Sequence, residues 1–222
     1  MPPNFLEIFL VSPKEGTTFD SPEAKQDLQW ILDQCISGPG GLSFSFRQST
    51  THPDQLLFIS CWASKADHDE LDLQGITPKL LRKLISRITM PPLVVYFLLM
   101  EDEKRKEVEL DAELLGIKAW HVREGYRGNF ERDVERWGRR GAWCVDKGVA
   151  PRPRVMPSDE VERRIIEEGE KRAIARSKVP IADVWISFET DGDREEVESF
   201  GKAVESFVEK VEGGNYGKFL SG

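Results

Sequence analysis

Apolar positions along the chain recur with two spacings, and the order in which the spacings alternate predicts an architecture. "FLEIFLV" (Phe5 to Val11) is a short apolar run that reads as a strand. Ser21-Pro22 signals a helix start, with Ser21 as cap and proline at the first helical position. Ala24, Leu28, Ile31 and Cys35 then fall on one helical face, and Gly38-Pro39-Gly40-Gly41 stops the helix. "LSFSFRQS" (Leu42 to Ser49) alternates as a strand does. The turn Thr51-His52-Pro53-Asp54 joins it to "QLLFISCW" (Gln55 to Trp62), which predicts a hairpin. Leu80, Leu81, Leu84, Ile85 and Ile88 mark a second helix, and "LVVYFLLM" (Leu93 to Met100) a fourth strand.

The second half repeats this order. "LLGIKAWHV" opens it as a strand, and Tyr126, Phe130, Val134 and Trp137 recur on a helical face. "DVWISFET" (Asp183 to Thr190) reads as a strand. Val197, Phe200, Val204, Phe207, Val208 and Val211 predict a closing helix, and "YGKFLSG" a short last strand. Val11 matches Val122 at an offset of 111, and Ser60 matches Ser187 at an offset of 127. The second copy is therefore longer by 16 residues between those points. The excess is visible as "SDEVERRIIEEGEKRAIARSK" (158–178), acidic at its start and basic at its end, which suits a helix dipole. It is expected to be an inserted helix capped by Ser158, and a lid over the second unit's pocket.

Strand-helix-strand-strand-helix-strand is the split βαβ, or ferredoxin-like, plan. Strands apolar on both faces need cover on both faces. The expectation is an α+β fold: two fused ferredoxin-like units with antiparallel sheets that cover each other as a pseudo-dimeric α+β barrel. The units are residues 1–100 and 114–222, joined by a charged linker at 101–113.

Composition narrows the function classes. The formal net charge of −8 disfavours non-specific nucleic-acid binding. The basic run Arg136 to Arg140 is expected to be a solvated helix end. Cys35, Cys61 and Cys144 contain no C-x-x-C pair, and with three histidines and no dense carboxylate cluster no metal site is expected. Neither the opening segment nor Pro91 to Met100 is long and apolar enough for a membrane span, so a cytoplasmic protein is expected.

The strand-to-helix run "CWASKADHDE" carries Trp62, Ser64 and His68 in the spacing W-x-S-x-x-x-H. It resembles that segment of antibiotic biosynthesis monooxygenase domains. "IKAWHVREGYRGNFERDVERW" resembles the opening strand and helix of the second unit in two-unit fungal proteins of that kind. The resemblance covers most of 4–145 and 180–222 and implies a dimeric α+β barrel with a pocket between helices and sheet in each unit. It implies a small-molecule enzyme of secondary metabolism, acting on a hydrophobic aromatic or polyketide-like compound. The implied reaction is oxygenation without metal or organic cofactor, or isomerisation or cyclisation. The second copy departs from the pattern, with Glu189, Asp191 and Glu195 in place of Trp, Ser and His.

His68 and His121 are the candidates for base or hydrogen-bond donor, because a neutral imidazole serves both roles. The bland readings are an exposed or capping histidine for His68 and a satisfied core group for His121. Phe58, Trp62, Tyr96 and Trp185 are candidates for the wall of a flat ligand's cavity, or else ordinary barrel filling. Arg47 is a candidate anchor for a carboxylate, or else a surface ion pair. Two further readings stay open: a non-catalytic barrel binding a ligand or a protein, and a haem barrel, which would need an open slot beside a histidine and basic partners. The fused halves are expected to be a monomer or to pair as a homodimer.

Overall fold

A computed structural model describes residues 5–90, 92–100, 109–145, 150–176, 183–190 and 193–221. The first unit runs β1 (Phe5–Val11), α1 (Pro22–Ile36), β2 (Gly41–Ser49), β3 (Leu56–Trp62), α2 (Lys65–Leu73), α3 (Thr77–Arg87) and β4 (Val94–Leu99). The second runs β5 (Leu114–Val122), α4 (Arg127–Arg136), β6 (Gly141–Trp143), α5 (Glu160–Arg176), β7 (Val184–Glu189), α6 (Arg194–Val204) and β8 (Val208–Ser221). Most of the expected linker lies outside the described residues.

The eight strands form one antiparallel sheet in the order β4-β1-β3-β2-β8-β5-β7-β6. Each half of that order is the ferredoxin-like arrangement, and the halves join where β2 pairs with β8. At the opposite seam Leu98 bridges Cys144, and the Val145 N–H donates to the Phe97 carbonyl at 2.8 Å. The sheet thus curls into a nearly closed barrel. The two seams differ because β6 has only three residues to offer β4. The repeat holds to the residue: Glu7 pairs with Ser60, and Lys118 with Ser187, at the offsets read from the sequence.

Strand alternation divides the core in three. One set, including Leu6, Ile8, Leu57, Ile59, Ile117, Ile186 and Phe188, fills the barrel from both units. Phe5, Phe9, Phe44, Phe46, Phe58 and Trp62 face α1, α2 and α3. Trp120, Phe130, Trp185 and Phe200 form the second unit's helix-side core. Each such burial contributes about 1.5–3 kcal/mol.

Local chemistry explains the helix starts. The Ser21 hydroxyl accepts from the Ala24 N–H at 3.1 Å, with Pro22 in the first turn. Ser64 caps α2 by accepting from the Asp67 N–H at 3.1 Å, and donates to the Asp67 carboxylate at 2.6 Å. The inserted helix is capped by Asp159 rather than Ser158, since the Asp159 carboxylate accepts from the N–H groups of Val161 and Glu162.

Three expectations are corrected. The closing helix stops at Val204, and Val208 and Val211 belong to a strand of 14 residues. This strand wins because it serves both β5 and β2, so its ladder bonds outweigh the helical spacing of four valines and two phenylalanines. Gly213 (φ +143°) permits the close pairing, since a Cβ there would lie 2.0 Å from the Ile117 carbonyl oxygen. The basic run is only partly solvated: Arg139 is buried against Glu189. The inserted helix packs on α3 of the first unit, so it is no lid over the second.

Candidate functional site

β3 ends at Trp62 and α2 begins at Lys65, so the strand's helix-side residues and the first turns of α2 meet. The Trp62 indole N–H donates to the Ser60 hydroxyl at 3.0 Å, and Ser60 donates to Glu7 at 3.4 Å. His68 Nε2 lies 3.5 Å from Glu7 Oε2, and Nδ1 lies 3.5 Å from Asp69 Oδ1. The imidazole sits edge-on to Phe5 and Trp62, with centroids 5.1 and 5.2 Å away. It is 5% exposed, so the exposed or capping reading is corrected: Ser64 caps, and His68 faces the sheet. Asp72, one turn further along α2, is equally buried. Lys65 takes the other Asp69 oxygen at 2.6 Å.

The second unit builds a related corner that includes cations, with its indole on β5 rather than on the strand that carries the serine. The Trp120 indole donates to Ser187 at 3.0 Å, and Ser187 to Glu189 at 3.0 Å. Where the first unit has Glu7, this one has Lys118, whose ammonium is 3.4 Å from Glu189. Arg139 approaches the same carboxylate at 3.6 Å. One carboxylate is held between two cations, so its charge is compensated from within.

A cavity of about 560 Å³ lies beside the first unit's corner, between α3, β4, the proline-rich loop at 150–153 and α5. Pro78, Leu81, Phe97, Ile165, Ile166 and Ala173 supply much of its apolar wall, and Asp72 places a buried carboxylate in it. Phe97 stacks on Phe5, which in turn contacts His68, so the wall and the polar corner are one packed unit. Helix α5 turns Glu162, Ile166 and Ala173 inward, a helical spacing that makes it the roof, with the exposed Gly169 at the cavity's edge. Arginines tie down the roof and the loop before it. Arg154 forks onto Glu70 at 2.5 and 2.7 Å, Arg152 onto Glu170 at 2.5 and 2.8 Å, and Arg82 reaches Asp159 at 2.7 Å. Arg154, then Gln74, holds the Glu70 carboxyl below its ordinary range.

A second cavity of about 210 Å³ opens at the mouth of the barrel, lined by Tyr96, Tyr216, His52, Glu212 and apolar strand residues. His121 borders it by bonding Glu212 at 2.9 Å. Burial, then Glu212, raises the Tyr96 phenol above its ordinary value.

The candidates drawn from the sequence are therefore dispersed. His68 is on the helix side of the first unit, and His121 is at the barrel mouth on the other face of the sheet. Phe58, Trp62 and Trp185 are core residues at 4%, 2% and 3% exposure, and of the five aromatic and arginine candidates only Tyr96 lines a cavity described here. Arg47 is neither a carboxylate anchor nor a surface pair. It is 1% exposed, and its guanidinium donates to the carbonyls of Leu110 and Ala112 at 2.5 and 2.8 Å, tying down the segment that enters β5. Glu7, Asp69 and Asp72 were not singled out. Their signal was available, since Asp72 lies one helical turn from His68 and Glu7 breaks an apolar strand. The haem reading finds no fit. The lining of the larger cavity contains no histidine, His68 is enclosed by two rings, His121 is bonded to Glu212, and the cavity that His52 lines is only about 210 Å³.

No protein-family model matches the sequence, and no curated protein does. Solved structures do match its fold. A provisionally named monooxygenase from Lactobacillus acidophilus NCFM covers 100% of this chain and 96% of its own, with a TM-score of 0.55 and 9% identity. A structure described as an anthrone oxidase-like protein covers 99% of this chain and 92% of its own, at a TM-score of 0.53 and 10% identity. A provisionally named chlorite dismutase, TA0507, covers 98% and 95%, at 0.60 and 8%. The chain thus shares the two-unit ferredoxin-like barrel over nearly its full length, and at these identities the likeness concerns the fold.

Proposed function

We propose that this protein is a small-molecule enzyme whose substrate, a hydrophobic aromatic or polyketide-like compound, binds in the cavity beneath α5. The observation that carries the reading is an apolar chamber of about 560 Å³ with one buried carboxylate, Asp72, in its wall. Chambers with few polar groups suit flat ligands with one ionisable oxygen. The reaction is oxygenation without an organic cofactor, or isomerisation or cyclisation in the same chamber. Each begins with loss of a proton from the ligand. Asp72 is placed to receive it, and His68, set between Glu7 and Asp69, lies within 4.8 Å of that carboxylate. In the oxygenase version the electron-rich ring passes an electron to O₂ against the chamber's apolar wall. Similarity in fold to an anthrone oxidase-like protein and to a provisionally named monooxygenase agrees with this reading.

One observation favours the runner-up, a non-catalytic ligand-binding barrel. His68 is enclosed rather than presented to the chamber, and the second unit's corner is closed by its own ion pairs. The test is a panel of planar phenols and anthrones, with tryptophan fluorescence and O₂ uptake followed together. Uptake that collapses in Asp72→Asn while binding persists supports the oxygenase. Quenching without uptake or product supports the binding barrel. No response to any member rejects the chamber as a site for this class of ligand.

A further inference from the structure

The first unit's corner gathers Glu7, Asp69 and Asp72 around the buried imidazole of His68. His68 Nδ1 and Asp69 Oδ1 are both buried and accept or donate no hydrogen bond, and they face each other at 3.5 Å. Ligand atoms of His68, Asp69 and Asp72 all lie within 4.8 Å of one another. Buried polar atoms are almost always satisfied, so an orphaned imidazole nitrogen turned toward carboxylate oxygens marks a missing partner with positive charge. The second unit shows what that partner does. There Lys118 and Arg139 supply positive charge to Glu189. In the first unit the position equivalent to Lys118 is Glu7, an acid, and Lys65 reaches the far oxygen of Asp69.

We propose that His68, Asp69 and Asp72 bind a first-row divalent cation at the wall of the cavity beneath α5. His68 and Asp72 are four residues apart on α2, so they project from one helical face toward a common point, and Asp69 closes the third side. One imidazole and two carboxylates suit Mn²⁺, Fe²⁺ or Zn²⁺, with bonds of about 2.0–2.2 Å, so small side-chain rotations close the set. Three protein ligands leave coordination positions open, and Asp72 turns them toward the chamber. His68 Nε2 faces Glu7, the carboxylate partner that metal-bound histidines commonly have on their other nitrogen. This inference deepens the proposed function and rests on it only for the ligand: a substrate oxygen on the cation would lose its proton more readily, and Asp72 would then be a metal ligand rather than the base.

The test uses the full chain, treated with a chelator and then titrated with Mn²⁺ by calorimetry and electron paramagnetic resonance. The expected result is one Mn²⁺ per chain, with nitrogen coupling from His68. His68→Gln should remove the coupling, and Asp72→Asn should weaken binding at least tenfold; Zn²⁺ should displace the Mn²⁺. Glu160→Gln, an exposed carboxylate on α5, should change nothing. Circular dichroism confirms each fold, and Asp69→Asn replaces any variant that does not fold. Failure to bind Mn²⁺ or Zn²⁺ below millimolar concentration, or binding indifferent to these variants, overturns the site. If the phenol panel still binds, the proposed function survives that failure. Metal binding with no response to the panel sustains the site and rejects the substrate reading.

Discussion

Gly169 offers a perturbation in which stability and function should move in opposite directions. It sits within α5, exposed at the edge of the larger cavity near Ile166 and Ala173. A Cβ added there meets nothing within 4 Å, and its backbone is not in the left-handed region. Glycine inside a helix costs about 1 kcal/mol relative to alanine. Gly169→Ala should therefore recover close to that amount, with a rise of roughly 2–4 °C in Tm for a chain of this size. Gly169→Leu keeps most of the helical gain but places four carbons in the chamber. At about 0.8 kcal/mol per buried CH₂, ligand contacts worth about 3 kcal/mol are lost, and the affinity of a chamber-filling phenol should fall roughly a hundredfold. The assay pairs thermal melts with fluorescence titration on the same preparations. A leucine variant that is as stable as the parent and binds the panel equally well would refute the placement of the ligand beneath α5. A large destabilisation by alanine would refute the open space facing Gly169.

Arg47→Met removes the donors to two part-buried carbonyls and relieves a desolvated guanidinium whose Nε has no partner. The net cost should be about 2 kcal/mol, read as a lower urea midpoint; an unchanged midpoint would mean that desolvation cancels the two bonds. Acid should loosen α5. Arg154 lowers Glu70, Arg152 lowers Glu170, and the Glu162 N–H, then Arg82, lowers Asp159. These folded values lie below the unfolded ones, so the stabilisation is full above the ordinary carboxylate range near about 4 and is lost as pH falls through the depressed values. Hydrogen exchange corrected for intrinsic rates should show α5 losing protection at pH 3 before the barrel strands do, and equal protection would count against the arginine ties.

Much of the architecture was legible because it follows from local spacing. The capping serine before Pro22, the turn at His52-Pro53 and the two apolar periods placed β1, α1, β2 and β3 where they are. The match of Ser60 with Ser187 predicted a register that the sheet reproduces through Glu7 and Lys118. Less was legible where one residue serves two periodicities. Val208 and Val211 fit a helix as well as a strand, and only pairing with β5 on one side and β2 on the other decides for the strand. The candidate site was half legible. His68 stood out as a residue type, whereas Asp72 was one of many acids in a charged helix and acquired meaning only through burial.

Sequence alone determined the two-unit plan, the inserted helix and the loss of the histidine from the second copy, because each is written in spacing along the chain. Tertiary structure decided which unit the inserted helix roofs. It also separated His68 and His121 onto opposite faces of the sheet and placed three acids around one imidazole. These depend on contacts between residues far apart in the chain: Arg154 with Glu70, Arg82 with Asp159, Glu7 with Ser60. Packing, burial and charge balance select such contacts together, and no local pattern carries them.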